Sequence, residues 1–139
     1  MKVAVIYAST TGNTEAMANT IKEAVLASGA EIVFGTAESA NKDEVLSCDV
    51  LLLGSPAMGD EVLEDSMEEF YSKIEGSLSG KKVGIFGSYD WGDGQWLRDW
   101  TDRLNNAGAV SAVDALMVHL APEEADVELC RTWTQSAIK

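Results

Sequence analysis

Apolar residues gather along the chain in short unbroken runs, separated by stretches where they recur every three or four positions. Val3 to Tyr7, Glu31 to Phe34, Val50 to Leu53 and Val83 to Phe86 are runs of strand length, and a weaker one extends from Val110 to Val118. Their valine, isoleucine and leucine content is continuous rather than alternating, the pattern of strands covered on both faces. Between them the period becomes that of a helix. Met17, Ala18, Ile21 and Val25 share one face ahead of Gly29, and Leu63, Met67, Phe70, Tyr71 and Ile74 share another ahead of Gly76. Trp96, Trp100 and Leu104 form a third stripe before Gly108, and Val127, Cys130, Thr134, Ala137 and Ile138 a fourth after Pro122. The glycines stand where helices commonly end. Only Thr36 to Ser47 fits neither period.

Strands alternating with helices predict right-handed crossovers and a parallel sheet. The expected fold is α/β, a doubly wound five-stranded parallel sheet in the order 2-1-3-4-5 with helices on both faces. A chain of 139 residues suits a single domain spanning 1–139. Ligands of such sheets sit beyond the carboxyl ends of the strands, where the strand order reverses. Three loops converge there: Ser9 to Thr14, Ser55 to Glu61 and Ser88 to Gly94.

Charge narrows the partners. With 23 acidic against 10 basic residues, the formal net charge is −13. Nucleic acid and anionic lipid would be repelled, whereas a basic protein partner would be attracted; solubility alone would account for the acidity equally well. No apolar stretch approaches the ~20 residues of a membrane span, and Met1-Lys2-Val3 does not open like a signal peptide, so a cytosolic protein is expected. Cys48 and Cys130 lack metal-ligand spacing and read as reduced packing residues. His119, the only histidine, is expected to be structural.

Five of the six residues from Ser9 to Thr14 carry a hydroxyl or an amide, Gly12 is the sixth, and none is basic. Placed where a strand meets a helix, Ser9, Thr10, Thr11, Asn13 and Thr14 could enclose a phosphate with neutral donors and free backbone N–H groups. An N-capping turn would use the same residue types. The lysine-dependent nucleotide loop G-x-x-x-x-G-K-[ST] and the dinucleotide pattern G-x-G-x-x-G are both absent. In the second loop Met58 offers a polarizable side chain for a flat ring and Gly59 a peptide that can reorient; that loop alone suits equally a proline-glycine turn with Met58 in the core. The third loop places Tyr89 and Trp91 among three glycines and two aspartates. Trp91 has no obvious core to enter, and stacking on a planar ligand is the alternative. Trp96, Trp100 and Trp133 are expected in the core.

These three loops together resemble those of the flavodoxins, small electron carriers that hold FMN without a covalent bond. Ser9-Thr10-Thr11-Gly12-Asn13-Thr14 is similar to their phosphate loop, and Pro56 to Glu61 and Gly87 to Gly94 look like the ring-binding loops of short-chain members from anaerobic bacteria. The resemblance covers essentially the whole chain. It implies that Ser9, Thr10, Thr11, Gly12, Asn13 and Thr14 bind the FMN phosphate and that Ser55, Ala57 and Ser88 lie near the ribityl chain. Met58 would cover one face of the ring and Trp91 the other, with Tyr89, Asp90 and Gly92 in the same loop. Glu61 would accept from ring N3–H, and the peptide joining Gly59 to Asp60 would turn on reduction. Two positions depart from the family: Asp90, where relatives often have glycine, and Ala8, where some have tryptophan. No catalytic residue and no metal ligand is implied.

The function so implied is a low-potential one-electron carrier shuttling mainly between semiquinone and hydroquinone, not an enzyme with a substrate of its own. Its partners would be redox enzymes with basic docking surfaces, reductases and oxidoreductases that also use ferredoxin, met by a monomer. Asp60, Glu61, Asp65, Asp90 and Asp93 would each cost an anionic flavin about 0.5 kcal/mol at ~10 Å, together roughly 100 mV. The alternative is an FMN-dependent NAD(P)H or quinone reductase of the same fold, although Trp91 would occupy the space that a second planar molecule needs. A signalling receiver domain would require acidic residues where Ala8, Ser9, Ser55 and Pro56 stand.

Overall fold

The first four apolar runs predicted to be strands are strands, the fifth is divided into two, and together they form a single parallel sheet in the computed structural model, which describes residues 1–139. In chain order the elements are β1 (Lys2–Tyr7), α1 (Asn13–Ala27), β2 (Glu31–Thr36), α2 (Lys42–Leu46), β3 (Val50–Gly54), α3 (Asp65–Ile74), β4 (Lys82–Tyr89), α4 (Gln95–Asn106), β5 (Val110–Ser111), β6 (Leu116–His119) and α5 (Glu124–Ala137). The strand order is β2-β1-β3-β4, followed by β5 and β6, which both pair with β4. No helix is long and apolar enough to cross a membrane.

Alternate residues of the central strands feed two cores. Ala4 and Ile6 of β1 and Leu51 and Leu53 of β3 face α3 and α4, where they meet Met67, Phe70, Tyr71, Trp96 and Trp100. Val3 and Val5 with Val50 and Leu52 face α1 and α5, where they meet Met17, Ile21, Val25, Cys130 and Trp133. Burial on both faces is why these strands read as unbroken apolar runs. Both cysteines are buried free thiols, as their apolar settings suggested. The ambiguous Thr36 to Ser47 segment holds α2, a five-residue helix in which only Val45 is buried and whose start is capped by the Asn41 side chain.

The fifth strand position departs from the single strand expected over Val110 to Val118. Val110 and Ser111 pair with Lys82 and Val83, and Leu116 to His119 pair with Phe86 to Tyr89. Between them β4 advances by only Gly84 and Ile85 while the fifth position uses residues 112–115. The two extra residues are accommodated by tertiary contacts. Val113 lies over the bare face of Gly84, where a Cβ would come within 3.1 Å of its Cγ1, and the Asp114 carbonyl accepts from Trp133 Nε1 at 2.6 Å.

α3 and α4 are joined by Arg103. Its guanidinium donates to both oxygens of Glu68, at 2.7 and 3.0 Å, and to both of Glu75, at 3.1 and 3.2 Å. It also lies 4.7 Å above the Tyr71 ring. The Tyr71 hydroxyl beneath it is buried without a hydrogen-bond partner. Burial first, and the nearby Glu75 carboxylate second, hold that phenol well above its ordinary range.

Tyr71→Phe is therefore expected to stabilise the protein by about 1 kcal/mol, because it removes a desolvated donor and keeps the ring under Arg103; urea unfolding measures it, and a loss of stability would contradict the assignment. Hydrogen bonds from Arg103 lower the Glu68 pKa. The stabilisation that this pairing provides is present above the ordinary glutamate range near ~4.3 and is lost as pH falls through the lower folded value. Arg103→Met should then move the onset of acid unfolding, followed by circular dichroism, to higher pH.

Candidate functional site

β1, β3 and β4 end side by side, with Tyr7 paired to Gly54 and Gly54 to Phe86, so the loops that follow them leave one edge of the sheet. The first loop begins with Ser9, whose Oγ accepts from the Gly12 N–H at 3.1 Å and the Glu15 N–H at 3.4 Å. Gly12 opens α1 with no side-chain cap of its own. The N–H groups of Thr10, Thr11, Asn13 and Thr14 have no acceptor within the protein. Ser9 thus performs the capping that its residue type allowed, and four amides beside it remain available to an anion.

Thr14 does not present its hydroxyl to the outside. It is 1% exposed, and its Oγ1 lies 2.9 Å from Ser88 Oγ and accepts from the Ser88 N–H at 3.3 Å, tying the first loop to the end of β4. Of the groups expected at a phosphate, Thr14 therefore offers its backbone amide alone. Ser55 is drawn inward more completely. It is fully buried, its Oγ donates to the Pro56 carbonyl and accepts from the Glu64 N–H at 2.9 Å, and its own carbonyl accepts from Trp96 Nε1 at 3.0 Å. Its hydroxyl thus shapes the turn into α3, and its carbonyl ties that turn to α4.

The second loop is a tight one. Met58 and Val62 exchange two N–H···O bonds of 3.0 Å, which leaves Gly59, Asp60 and Glu61 to close the turn. Gly59 has φ +43° and Glu61 φ +58°. A Cβ at Gly59 would meet nothing within 4 Å, so glycine is favoured there by backbone conformation and not by crowding. The Ala57 N–H donates to the Ser88 carbonyl at 3.1 Å and holds this loop to β4.

In the third loop, Tyr89 accepts from the Leu120 N–H at 2.8 Å and the Asp90 carbonyl lies 3.0 Å from His119 Nε2, so the end of β6 braces the loop's first half. His119 has the structural place expected of it. The loop's second half is held by Glu61, whose Oε1 accepts from the Gly94 and Gln95 N–H groups, each at 3.1 Å. Trp91, between these supports, is 61% exposed, whereas Trp96, Trp100 and Trp133 are buried in the two cores. Ala8, the other position at which the chain departs from the family, is buried and donates to the Gly54 carbonyl at 2.9 Å.

The three loops enclose a cleft of about 300 Å³. Thr10, Thr11 and Asn13 line it from the first loop, Pro56 to Gly59 from the second, Ser88 to Trp91 from the third, and Leu120 from the segment after β6. Ser9, Gly12, Thr14, Asp60, Glu61 and Gly92 stand behind or beside this lining. Leu120 was not anticipated. It sits at φ +60°, an uncommon conformation for leucine. The doubly wound rule applied to the last strand as well as to the first, third and fourth would have pointed to it.

The donor set fits FMN. Unpartnered neutral amides and hydroxyls at the start of α1 suit a phosphate ester, and a thioether from one loop and an exposed indole from another suit the two faces of a flat ring.

Comparison with known proteins agrees with this chemistry. The family described as Flavodoxin matches residues 5–133. The flavodoxin of Megasphaera elsdenii is 46% identical over 138 residues, which cover 99% of this chain and 98% of the relative. That of Clostridium beijerinckii is 46% identical over 123 residues, covering 88% and 89%. Among solved structures, two-electron reduced Megasphaera elsdenii flavodoxin superposes with a TM-score of 0.87 at 45% identity, covering 99% of this chain and 98% of that one. Oxidised Flavodoxin 1 from Bacillus cereus does so with 0.86 at 30% identity, covering 99% and 97%. With its sheet order, its three loops and these relatives in agreement, the chain belongs to the flavodoxin family of FMN-binding electron carriers.

Proposed function

We propose that this chain is a low-potential one-electron carrier that works mainly between the semiquinone and hydroquinone forms of its FMN. The observation that carries the reading is the charge distribution of the cleft: a phosphate end built from neutral donors and a ring end bordered by carboxylates. The flavin supplies the redox chemistry when bound, and the protein sets the energies of its states. Thr10, Thr11, Asn13 and the free amides hold the phosphate without a cation. Met58 and Trp91 exclude water from the ring, and the Gly59 carbonyl is positioned by a turn that can reorient cheaply.

The acidic border needs one revision. Asp93 is paired with Arg98 at 2.8 Å, so its charge is largely balanced locally. Asp60, Glu61, Asp65 and Asp90 remain, which at about 0.5 kcal/mol each disfavour a further negative charge by roughly 80 mV before salt screening. The same border, with Trp91 and Leu120 exposed within it, suits a redox partner that presents basic residues around an apolar centre. Trp91, exposed at the cleft, would occupy the space that a second planar substrate needs, which favours a carrier over a nicotinamide or quinone reductase.

Acid treatment of the yellow holoprotein should release FMN, and stepwise reduction should pass through a blue form; two-electron reduction with no semiquinone absorbance would overturn the reading. Gly59→Thr should lower the semiquinone yield in the same titration by hindering the turn, with the fold unchanged by circular dichroism. Thr11→Lys tests the missing cation. A single positive charge at ~10 Å should raise the potential of the second electron by roughly 20 mV, an effect that salt diminishes.

A further inference from the structure

α4 lacks a cap of its own. It starts at Gln95 behind Gly94, which has no side chain to offer, and its first turn contains no acidic residue. The other helices of the carboxyl edge are capped from nearby in sequence: α3 by Glu64, α5 by Glu123 with Asp126, and the start of α1 by Ser9. The α4 amides are satisfied instead by Glu61, 33 and 34 residues away, through a single oxygen.

That reach depends on Gly92. A Cβ there would lie 2.5 Å from Glu61 Oε1 and 2.6 Å from its Cδ, so the carboxylate passes through space that only glycine leaves open. Glu61 also adopts φ +58°, a conformation rarely taken by a residue with a side chain. The result fixes the far end of the third loop, whose near end is already fixed by Leu120 and His119. Met58 and Trp91 belong to the two loops that this one carboxylate joins.

We propose that Glu61 has two separable tasks. Oε1 caps α4 across the cleft and sets the spacing of the second and third loops before any cofactor arrives, and Oε2 alone is left to accept from the ligand. The second task rests on the FMN reading, whereas the first does not. Glu61 is in the first task a positioning residue, and the cleft is preorganised by it, which spares the cofactor the ordering of the third loop.

Two substitutions separate the tasks in the full-length protein. Glu61→Gln keeps an oxygen able to accept both amides but turns the other position into a donor; Glu61→Ala removes both. In FMN-free protein, hydrogen exchange at the Gly94 and Gln95 amides should stay within about threefold of the parent in Glu61→Gln and accelerate at least tenfold in Glu61→Ala, whose Tm should fall by about 3–5 °C. Gly92→Ala, which crowds the carboxylate and also strains the backbone at φ +92°, should accelerate the same two amides. FMN affinity should weaken about tenfold in both Glu61 variants. Unchanged exchange in Glu61→Ala would overturn the cap. Exchange in Glu61→Gln as fast as in Glu61→Ala would overturn the division of tasks. Failure of the parent to bind FMN would remove the second task while the exchange rates still decide the first.

Discussion

Backbone amides without a protein acceptor are costly to bury and inexpensive to expose, and the four at the beginning of α1 govern how the rest of the cleft is arranged. A parallel sheet covered on both faces can place such groups only beyond its strand ends. β1 brings them there, β3 and β4 bring the other two loops alongside, and the buried contact between Thr14 and Ser88 keeps the first loop at a fixed distance from the third. The apolar interior and the polar edge are thus two results of the same topology. Continuous hydrophobic strands force polar function to the carboxyl edge, and helix starts at that edge supply donors that no side chain needs to provide.

Charge is arranged with the same economy. The net charge of −13 is spread over the surface, and the two arginines of α4 are both engaged by carboxylates: Arg98 with Asp93, and Arg103 between Glu68 and Glu75. Neither approaches the phosphate end of the cleft. The positive charge of α4 is thus balanced by carboxylates of the third loop and of α3, where it contributes to packing. Two carboxylates of the border stand at helix starts, Glu61 against the first amides of α4 and Asp65 in the first turn of α3, and each faces the positive end of a helix dipole.

How far these features could be read in advance depended on whether they were local. Runs such as Val50 to Leu53 and stripes such as Trp96, Trp100 and Leu104 carry their burial in their spacing, so the sheet order and both cores follow from pattern alone. The exposed setting of Trp91 was equally visible, since its neighbours are glycines and aspartates. What was hidden depended on contacts between distant residues. Ser55 is tied by its carbonyl to Trp96 from 41 positions away, and Thr14 is drawn inward by Ser88 from 74 positions away. The break in the fifth strand reflects Trp133 and Gly84, neither of which lies in that strand. Glu61 as a cap was invisible because capping is ordinarily sought within four residues of a helix start.

The interruption of the fifth strand divides that position into two ladders which hold β4 independently, one near its beginning and one at its end. Only the second touches the cleft, through His119 and Leu120. Residues 112–115 are therefore a seam between the two ladders, held to the core by Val113 on Gly84 and by the Asp114 carbonyl on Trp133 Nε1. The ladder that braces the cleft is thus anchored to α5 as well as to β4, so a change at Trp133 would reach the cofactor loops through the last strand.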